Sequence, residues 1–342
     1  MRGIEVRTAM LCKRVFLTGG TGFVGSHTAQ HLVTGGCRVV MLARDKRRVP
    51  SGLGNYAEIV EGDLADRAMT LDLLRGCDAV VHCAKSNHPD PTRRADADIT
   101  GTMRLLDRAV AAGVRRFVYL SSISAYGATP NTTVDESFPR QAPPDLYGRT
   151  KLRLEAEVLA NKAGATEVLV LQLANVYGPG RCWWGQGLLD LMRRGKVIVV
   201  DNGDGIANMV HVLDVVQAIQ NTLTIPAITP GSFLITDGQP IQWREYYSAL
   251  ERIVGRKATL PVPAMEARNL CRSLRSRSLP ARTRRWLTRT LLGSPIVFPL
   301  SDEAINAFCR KTVFSIAKAR AGLGYSPVYD LAAGLETLAA GK

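Results

Sequence analysis

Short apolar runs alternate with longer mixed stretches through the first half of the chain. Arg14–Thr18, Arg38–Ala43, Ala57–Glu61, Asp78–His82, Arg116–Leu120 and Glu167–Leu171 are brief and rich in Val, Leu, Ile and Phe. Runs of this kind, bounded by turn residues, predict buried strands. Between them, Gly22–Val33, Asp66–Arg75, Asp98–Ala112 and Tyr147–Lys162 have helical length and composition. Strands alternating with helices predict an α/β fold, a doubly wound parallel Rossmann sheet covered on both faces. After Tyr177 the texture changes. Gly, Pro and Trp cluster at 178–187, followed by a predicted helix at 188–194, a strand at 197–200 and a turn at 202–205. Residues 210–223 and a strand at 233–236 return to the sheet, and 243–254 reads as a helix. The chain is thus expected to hold a dinucleotide-binding domain of 13–177 plus about 206–236. A smaller C-terminal substrate lobe would interleave 178–205 with 237–335.

The 342 residues are 46% hydrophobic and 22% charged, which excludes wholesale disorder, collagen and low-complexity arrays. No apolar run has the roughly 18–20 residues of a membrane span. Residues 1–12 carry Arg2, Glu5 and Arg7 and lack the apolar core of a secretory signal. Seven scattered cysteines without a Cys-x-x-Cys pair argue against a disulfide framework or a zinc ribbon, and a cytoplasmic location is expected. The net charge of +14 is uneven: Glu266–Arg289 holds eight arginines and one acid. The segment 264–292 has three readings: an amphipathic surface on the inner face of an anionic membrane, a basic flap over an anionic substrate, or a solvated insertion. Nucleic acid is not expected, because no interleaved aromatics or recognised module accompany the charge.

Thr18-Gly-Gly-Thr-Gly-Phe-Val-Gly25 lies between the first strand and the first helix. Gly19 permits a tight turn, Gly22 lets the backbone approach a pyrophosphate, and Gly25 lets helix and strand pack closely. The helix N-terminus then offers free N–H groups to phosphate, which predicts a dinucleotide. At the end of the second strand, Ala43 offers no carboxylate for a ribose 2′-hydroxyl. Arg44, with Lys46, Arg47 and Arg48 behind it, suits a 2′-phosphate. The expectation leans to NADP, and NAD stays open through Asp45. Asp63, with the Leu64 backbone, is placed to meet the adenine; the plainer reading of Asp63 is a helix cap.

Tyr147 and Lys151 are four apart at a helix start and share a face. A phenol with pKa near 10 is a poor base at neutral pH, and a nearby ammonium pulls it down. Ser121-Ser-Ile-Ser124 follows the fifth strand, at the carboxyl end where ligands bind in such sheets.

With these motifs in order, the chain resembles the extended short-chain dehydrogenase/reductase superfamily, in its NAD-dependent epimerase/dehydratase branch, over about residues 13–335. Gly62-Asp-Leu64, Val80-Val-His-Cys-Ala84, Asn175-Val-Tyr-Gly-Pro-Gly180, Val210-His-Val-Leu-Asp214 and Lys318–Tyr325 carry the resemblance further. It implies a catalytic set of Ser122, Tyr147 and Lys151. It implies cofactor contacts at Gly19, Gly22, Phe23, Val24, Gly25, Arg44, Asp63, Leu64, Ala84, Tyr147, Lys151 and Asn175. Substrate contacts are expected at Ser124, Asn175, Arg181 and Trp183, and a homodimer through helices like 98–112 and 147–162. Two departures stand out. Ile123 occupies the place where sugar 4,6-dehydratases carry an acid, which disfavours that reaction. Gln172-Leu-Ala174 replaces an Arg-Pro pair found in many relatives.

His27 and His31 share a helix face, but no third ligand accompanies them, and no metal is expected. His82 and Cys83 read as packed strand residues. Trp183 and Trp184 could stack on a sugar or base, or simply cover the crevice. Arg181, Arg193 and Arg194 could meet a diphosphate or face solvent. The expected chemistry is hydride transfer at a carbinol or ketone carbon, first of a nucleotide sugar, alternatively of a lipidic or steroid-like ketone or alcohol. A non-catalytic NADP sensor is the third reading.

Overall fold

The computed structural model describes residues 12–50, 52–55, 57–64, 66–161, 165–275 and 301–340. Seven strands form one sheet: β1 (Arg14–Thr18), β2 (Arg38–Ala43), β3 (Ala57–Glu61), β4 (Ala79–His82), β5 (Arg116–Ser122), β6 (Glu167–Leu173) and β7 (Gly231–Ile235). Their order is β7-β6-β5-β4-β1-β2-β3, and every neighbouring pair is parallel. The chain winds outward through β1, β2 and β3, then returns to place β4 against the other side of β1. That reversal is the topological switch point, where the loops after β1 and β4 part and a crevice opens at the carboxyl ends of the strands.

Consecutive side chains on a strand point to opposite faces. Val15 and Leu17 accordingly join one core with Ala29, Leu32 and Val81, while Phe16 joins another with Val40, Val80 and Leu105. All of these but Val40 are fully buried, and Val40 is 1% exposed. Burial on both faces is why the strand sequences read as continuous apolar runs rather than alternating ones.

Four helices frame the crevice: α1 (Phe23–Thr34), α2 (Arg67–Leu74), α3 (Pro91–Ala111) and α4 (Leu146–Ala160). The third starts seven residues before the expected Asp98. Asp90 caps it by accepting from the Arg93 N–H at 2.8 Å, and Pro91 sets the first turn. Apolar periodicity marks only the later, packed part of this helix. Asp145 caps α4 in the same way, through Gly148 N–H at 2.8 Å.

A third core lies outside the sheet. Leu188, Leu189 and Met192 pack with Val197–Val200 and with Trp243, Tyr246, Tyr247 and Leu250 of the helix Trp243–Val254. Ile305, Phe308, Leu335 and Leu338 complete it. One stretch of the expected second lobe belongs elsewhere. Phe314, Ile316, Ala319, Leu323 and Tyr325 pack into the sheet's own core, and the short strand Val313–Phe314 pairs with Thr133–Val134 just after β5. Of the basic segment 264–292, the helix Ala264–Arg275 is described, and the expectations for 276–292 lie outside the described residues. Among the described residues no helix is long and apolar enough to cross a membrane.

Candidate active site

The turn after β1 is built from its glycines. Gly19 has φ +73°, and a Cβ there would collide with the backbone of Cys83 and Ala84 at the end of β4. A side chain at Gly25 would strike the Gly19 carbonyl. Gly22 donates its N–H to the Gly19 carbonyl at 2.9 Å and opens α1 as an N-cap without a side-chain partner. The loop therefore leaves a bare backbone and a helix N-terminus facing the crevice.

That crevice is a cavity of about 520 Å³. Gly19 and Gly22 line one end, Ala43, Arg44, Arg48, Asp63 and Leu64 the other, and Ala84 and Lys85 the side toward β5. The Arg44 guanidinium donates to Asn87 Oδ1 at 3.0 Å. Asp45 does not line the cavity. Its carboxylate takes the Arg47 backbone N–H and guanidinium, the latter at 2.9 and 3.1 Å. Phe23 and Val24 also stand off the lining: Phe23 meets the His27 ring edge-on, and Val24 packs against the sheet's core. Gly25 serves packing, as a glycine pressed onto a turn must.

Beside the cavity stand the three residues proposed for chemistry. Ser122 ends β5, and its Oγ accepts from Ser124 N–H and lies 3.2 Å from Ser124 Oγ. Tyr147, in the first turn of α4, faces Ser122, whose hydroxyl acts to lower the phenol's pKa. Tyr147 as a whole is 39% exposed. The packed surroundings of the hydroxyl push its pKa up, the Ser122 hydroxyl opposes this, and Asp145 and Asp98 add to the rise.

Lys151 departs from the expected arrangement. Its ammonium donates to Tyr119 Oη at 2.9 Å and to the Leu120 carbonyl at 2.8 Å, and lies 6.0 Å from the centre of the Tyr147 ring. Burial lowers its pKa to about 8, with Asp98 opposing. The cation over the face of Tyr147 is instead Lys85, at 4.4 Å. Sequence reading missed Lys85 and Asp98. An isolated lysine in a loop carries no motif, and only the fold brings it to the tyrosine.

The remaining expected residues divide. Asn175 starts a short strand, Asn175–Tyr177, and donates its amide to the Ala207 carbonyl, tying that strand to the second lobe. Trp183 is 46% exposed and Arg181 is exposed. Arg193 is paired with Asp190 at 3.0 Å. Trp184 packs on Trp243 and Phe308 as lobe core. His27 contacts the Pro179 carbonyl at 2.9 Å, and no three metal-binding side chains cluster among the described residues. His82 is buried between Thr18 Oγ1 (2.6 Å) and Thr102 Oγ1 (3.0 Å), and burial holds its pKa at about 3.

A buried network backs the site. Glu155, one turn after Lys151, accepts from Ser121 Oγ and from Gln172 Nε2 at 2.7 Å, with Arg140 at 3.5 Å. Gln172 also accepts from Tyr126 Oη at 3.0 Å, and the Arg140 guanidinium lies over the Tyr126 ring at 3.5 Å. The network fastens α4 to β5 and so fixes Tyr147 relative to Ser122.

The profile described as "NAD dependent epimerase/dehydratase family" matches residues 15–231. A UDP-glucose 4-epimerase from Streptomyces lividans is 33% identical over 47% of this chain and 52% of that protein. A 2-alkyl-3-oxoalkanoate reductase from Stenotrophomonas maltophilia is 26% identical over 96% of this chain and 98% of its own. The solved structure of MoeE5 in complex with UDP-glucose and NAD has a TM-score of 0.70 at 24% identity, covering 96% of this chain and 97% of that one. At that identity the likeness speaks for the fold.

Proposed function

Because the chain belongs to the NAD dependent epimerase/dehydratase family, we propose that it is a nicotinamide-dependent oxidoreductase that interconverts a ketone and a secondary alcohol. The observation that carries this is the meeting of Ser122, at the carboxyl end of β5, with Tyr147, in the first turn of α4, beside the cavity at the switch point, where the Ser122 hydroxyl acts to lower the Tyr147 pKa.

The cavity's residues fit a dinucleotide. The bare turn at Gly19 and Gly22 would hold the pyrophosphate, and Asp63 and Leu64 the adenine end. Arg44 and Arg48 would receive a 2′-phosphate, and Asp45 is committed to Arg47, so NADP is the preferred cofactor. Lys151 would hold the ribose nearest the ring. When bound, the nicotinamide supplies or accepts the hydride.

The chain's own part is proton handling. In reduction, Ser122 Oγ holds the substrate's carbonyl oxygen and Tyr147 Oη gives that oxygen its proton. In oxidation, Tyr147 Oη takes the proton back. Positioning the oxygen between two fixed hydroxyls also stabilises the charge that develops on it. Ile123, beside Ser122 and 7% exposed, offers no acid, which argues against sugar 4,6-dehydration.

For substrate, we favour a ketone or alcohol on an apolar chain. The reductase relative aligns over nearly the full length of both proteins, the exposed Trp183 suits apolar cover, and Arg193 is taken by Asp190 rather than open to a diphosphate. A nucleotide-sugar epimerase is the second reading, supported by the more identical but half-length match to a UDP-glucose 4-epimerase. The test is a two-arm assay. NADPH oxidation with long-chain 3-oxo acids supports the first reading. Interconversion of UDP-glucose and UDP-galactose without net NADPH use supports the second. Neither reaction, with the dinucleotide bound, would support the sensor instead.

A further inference from the structure

Tyr147 has two lysines near it, and the nearer one is not its helix partner. Lys85 Nζ lies 4.4 Å from the ring centre, over the face, whereas Lys151 Nζ is 6.0 Å away and bonded to Tyr119 and Leu120. Lys85 is held there by its own loop. The neighbouring Ser86 N–H donates to Asp98 Oδ1, which pins the loop after β4 to α3. Lys85 is exposed at the mouth of the cavity, which it also lines.

An aromatic face is electron-rich and attracts a cation. Ionising the phenol adds electron density to the ring, so a cation over the face stabilises phenolate more than phenol. We propose that Lys85 is a second ammonium partner of Tyr147, a positioning residue that favours the phenolate through the ring face while Lys151 serves the strand and the ribose. This rests on the reading of Tyr147 as the proton-transfer group.

The charged groups around the pair are named by the structure. From α3 come Asp98, whose carboxylate interacts with both lysines, and Arg94; from α4 comes Lys151, and Glu155 beyond it; from the turn before α4 comes Asp145; from β5, Ser122 and Tyr119; from the end of β4, Cys83. Asp145 and Asp98 oppose ionisation of Tyr147. Burial lowers the pKa of Lys85, and Asp98 opposes that shift. Lys85 and Asp98 thus act as a set: the carboxylate favours the ammonium, and the ammonium over the ring face offsets the carboxylate's effect on the phenol.

The test needs no substrate. Protein labelled with ¹³C at tyrosine Cζ reports each phenol's ionisation by NMR, and the Tyr147 signal is the one missing in Tyr147→Phe. In Lys85→Met the Tyr147 pKa should rise by about one unit, a tenfold loss of phenolate at fixed pH. Lys85→Arg should restore it, because the charge returns over the ring. Lys85→Gln provides the same comparison where the methionine variant folds poorly. An unmoved Tyr147 signal in both neutral variants overturns the proposal. So does a weakened affinity for NADPH as the sole change, since Lys85 would then be a phosphate contact. Turnover of NADPH with a 3-oxo acid by Tyr147→Phe tests the underlying reading apart from this one. A dispensable Tyr147 removes both, whereas an essential Tyr147 with an unmoved pKa removes only the role of Lys85.

Discussion

Asp45 is turned away from the crevice by Arg47. The carboxylate receives the Arg47 backbone N–H at 3.0 Å and its guanidinium at 2.9 and 3.1 Å. The acid that would otherwise read a ribose hydroxyl is spent within its own turn. Arg44 and Arg48 remain along the cavity wall. Arg44→Ala should weaken NADPH binding by about ten- to a hundredfold, the worth of one charge-assisted contact. NADH binding should change by less than about threefold. Calorimetric titration of both nucleotides checks this, and equal losses for the two would refute a 2′-phosphate role.

Arg140 supplies a cation for the buried Glu155, which also accepts from Gln172. Glu155 is 5% exposed at its side chain and Arg140 20%. Removing Arg140 breaks the ion pair and leaves Lys151 as the cation still acting on the carboxylate. Arg140→Met should therefore cost about 2–3 kcal/mol of stability, below the full cost of a dry pair because Arg140 is partly wet. Denaturant unfolding measures it. The double variant Arg140→Met with Gln172→Arg should recover most of the loss. A loss below about 0.5 kcal/mol would mean the pair is ornamental.

His82 should make the fold acid-sensitive. Its folded pKa is about 3 through burial, against about 6.5 for an unfolded histidine. The unfolded chain therefore binds a proton between these values that the folded chain refuses. The stability His82 contributes is present above pH 6.5 and is lost as pH falls toward 3, by about 1.4 kcal/mol per unit. Asp214 and Asp237, raised by burial to about 6 and about 7, act in the opposite sense over part of that window. The clean readout is thus a difference: His82→Gln should show a shallower fall in stability from pH 6.5 to 4.5 than the unaltered protein. Parallel pH curves would contradict this.

The sheet was legible because both of its faces are covered. Phe16 and Leu17 look into different cores, so the strand had to be apolar at successive positions, and such runs are visible without any alignment. The glycine turn was legible for a related reason: Gly19 and Gly25 sit where a Cβ would strike backbone. Helix α3 was seen only in part, since its first turns are held by the Asp90 cap rather than by apolar spacing. Tyr147 and Lys151 were visible as a spaced pair, and Ser122 as their companion through its place after the fifth strand and the family resemblance. Lys85 and Tyr119 were not, because they come from another loop and strand, and no local pattern encodes a contact made across the sheet. The same limit hid the return of Phe314 and Tyr325 to the sheet's core from a segment that reads as second lobe.

The account turns on Tyr147 moving the proton beside a bound nucleotide. Its most direct test is Tyr147→Phe, which removes one oxygen and keeps the ring, assayed for NADPH oxidation with a 3-oxo acid and for NADPH affinity in the same preparation. The account predicts a fall in kcat of about a hundredfold or more, the usual worth of a general acid, with affinity within about threefold of the unaltered protein. Turnover that survives within about tenfold would contradict it.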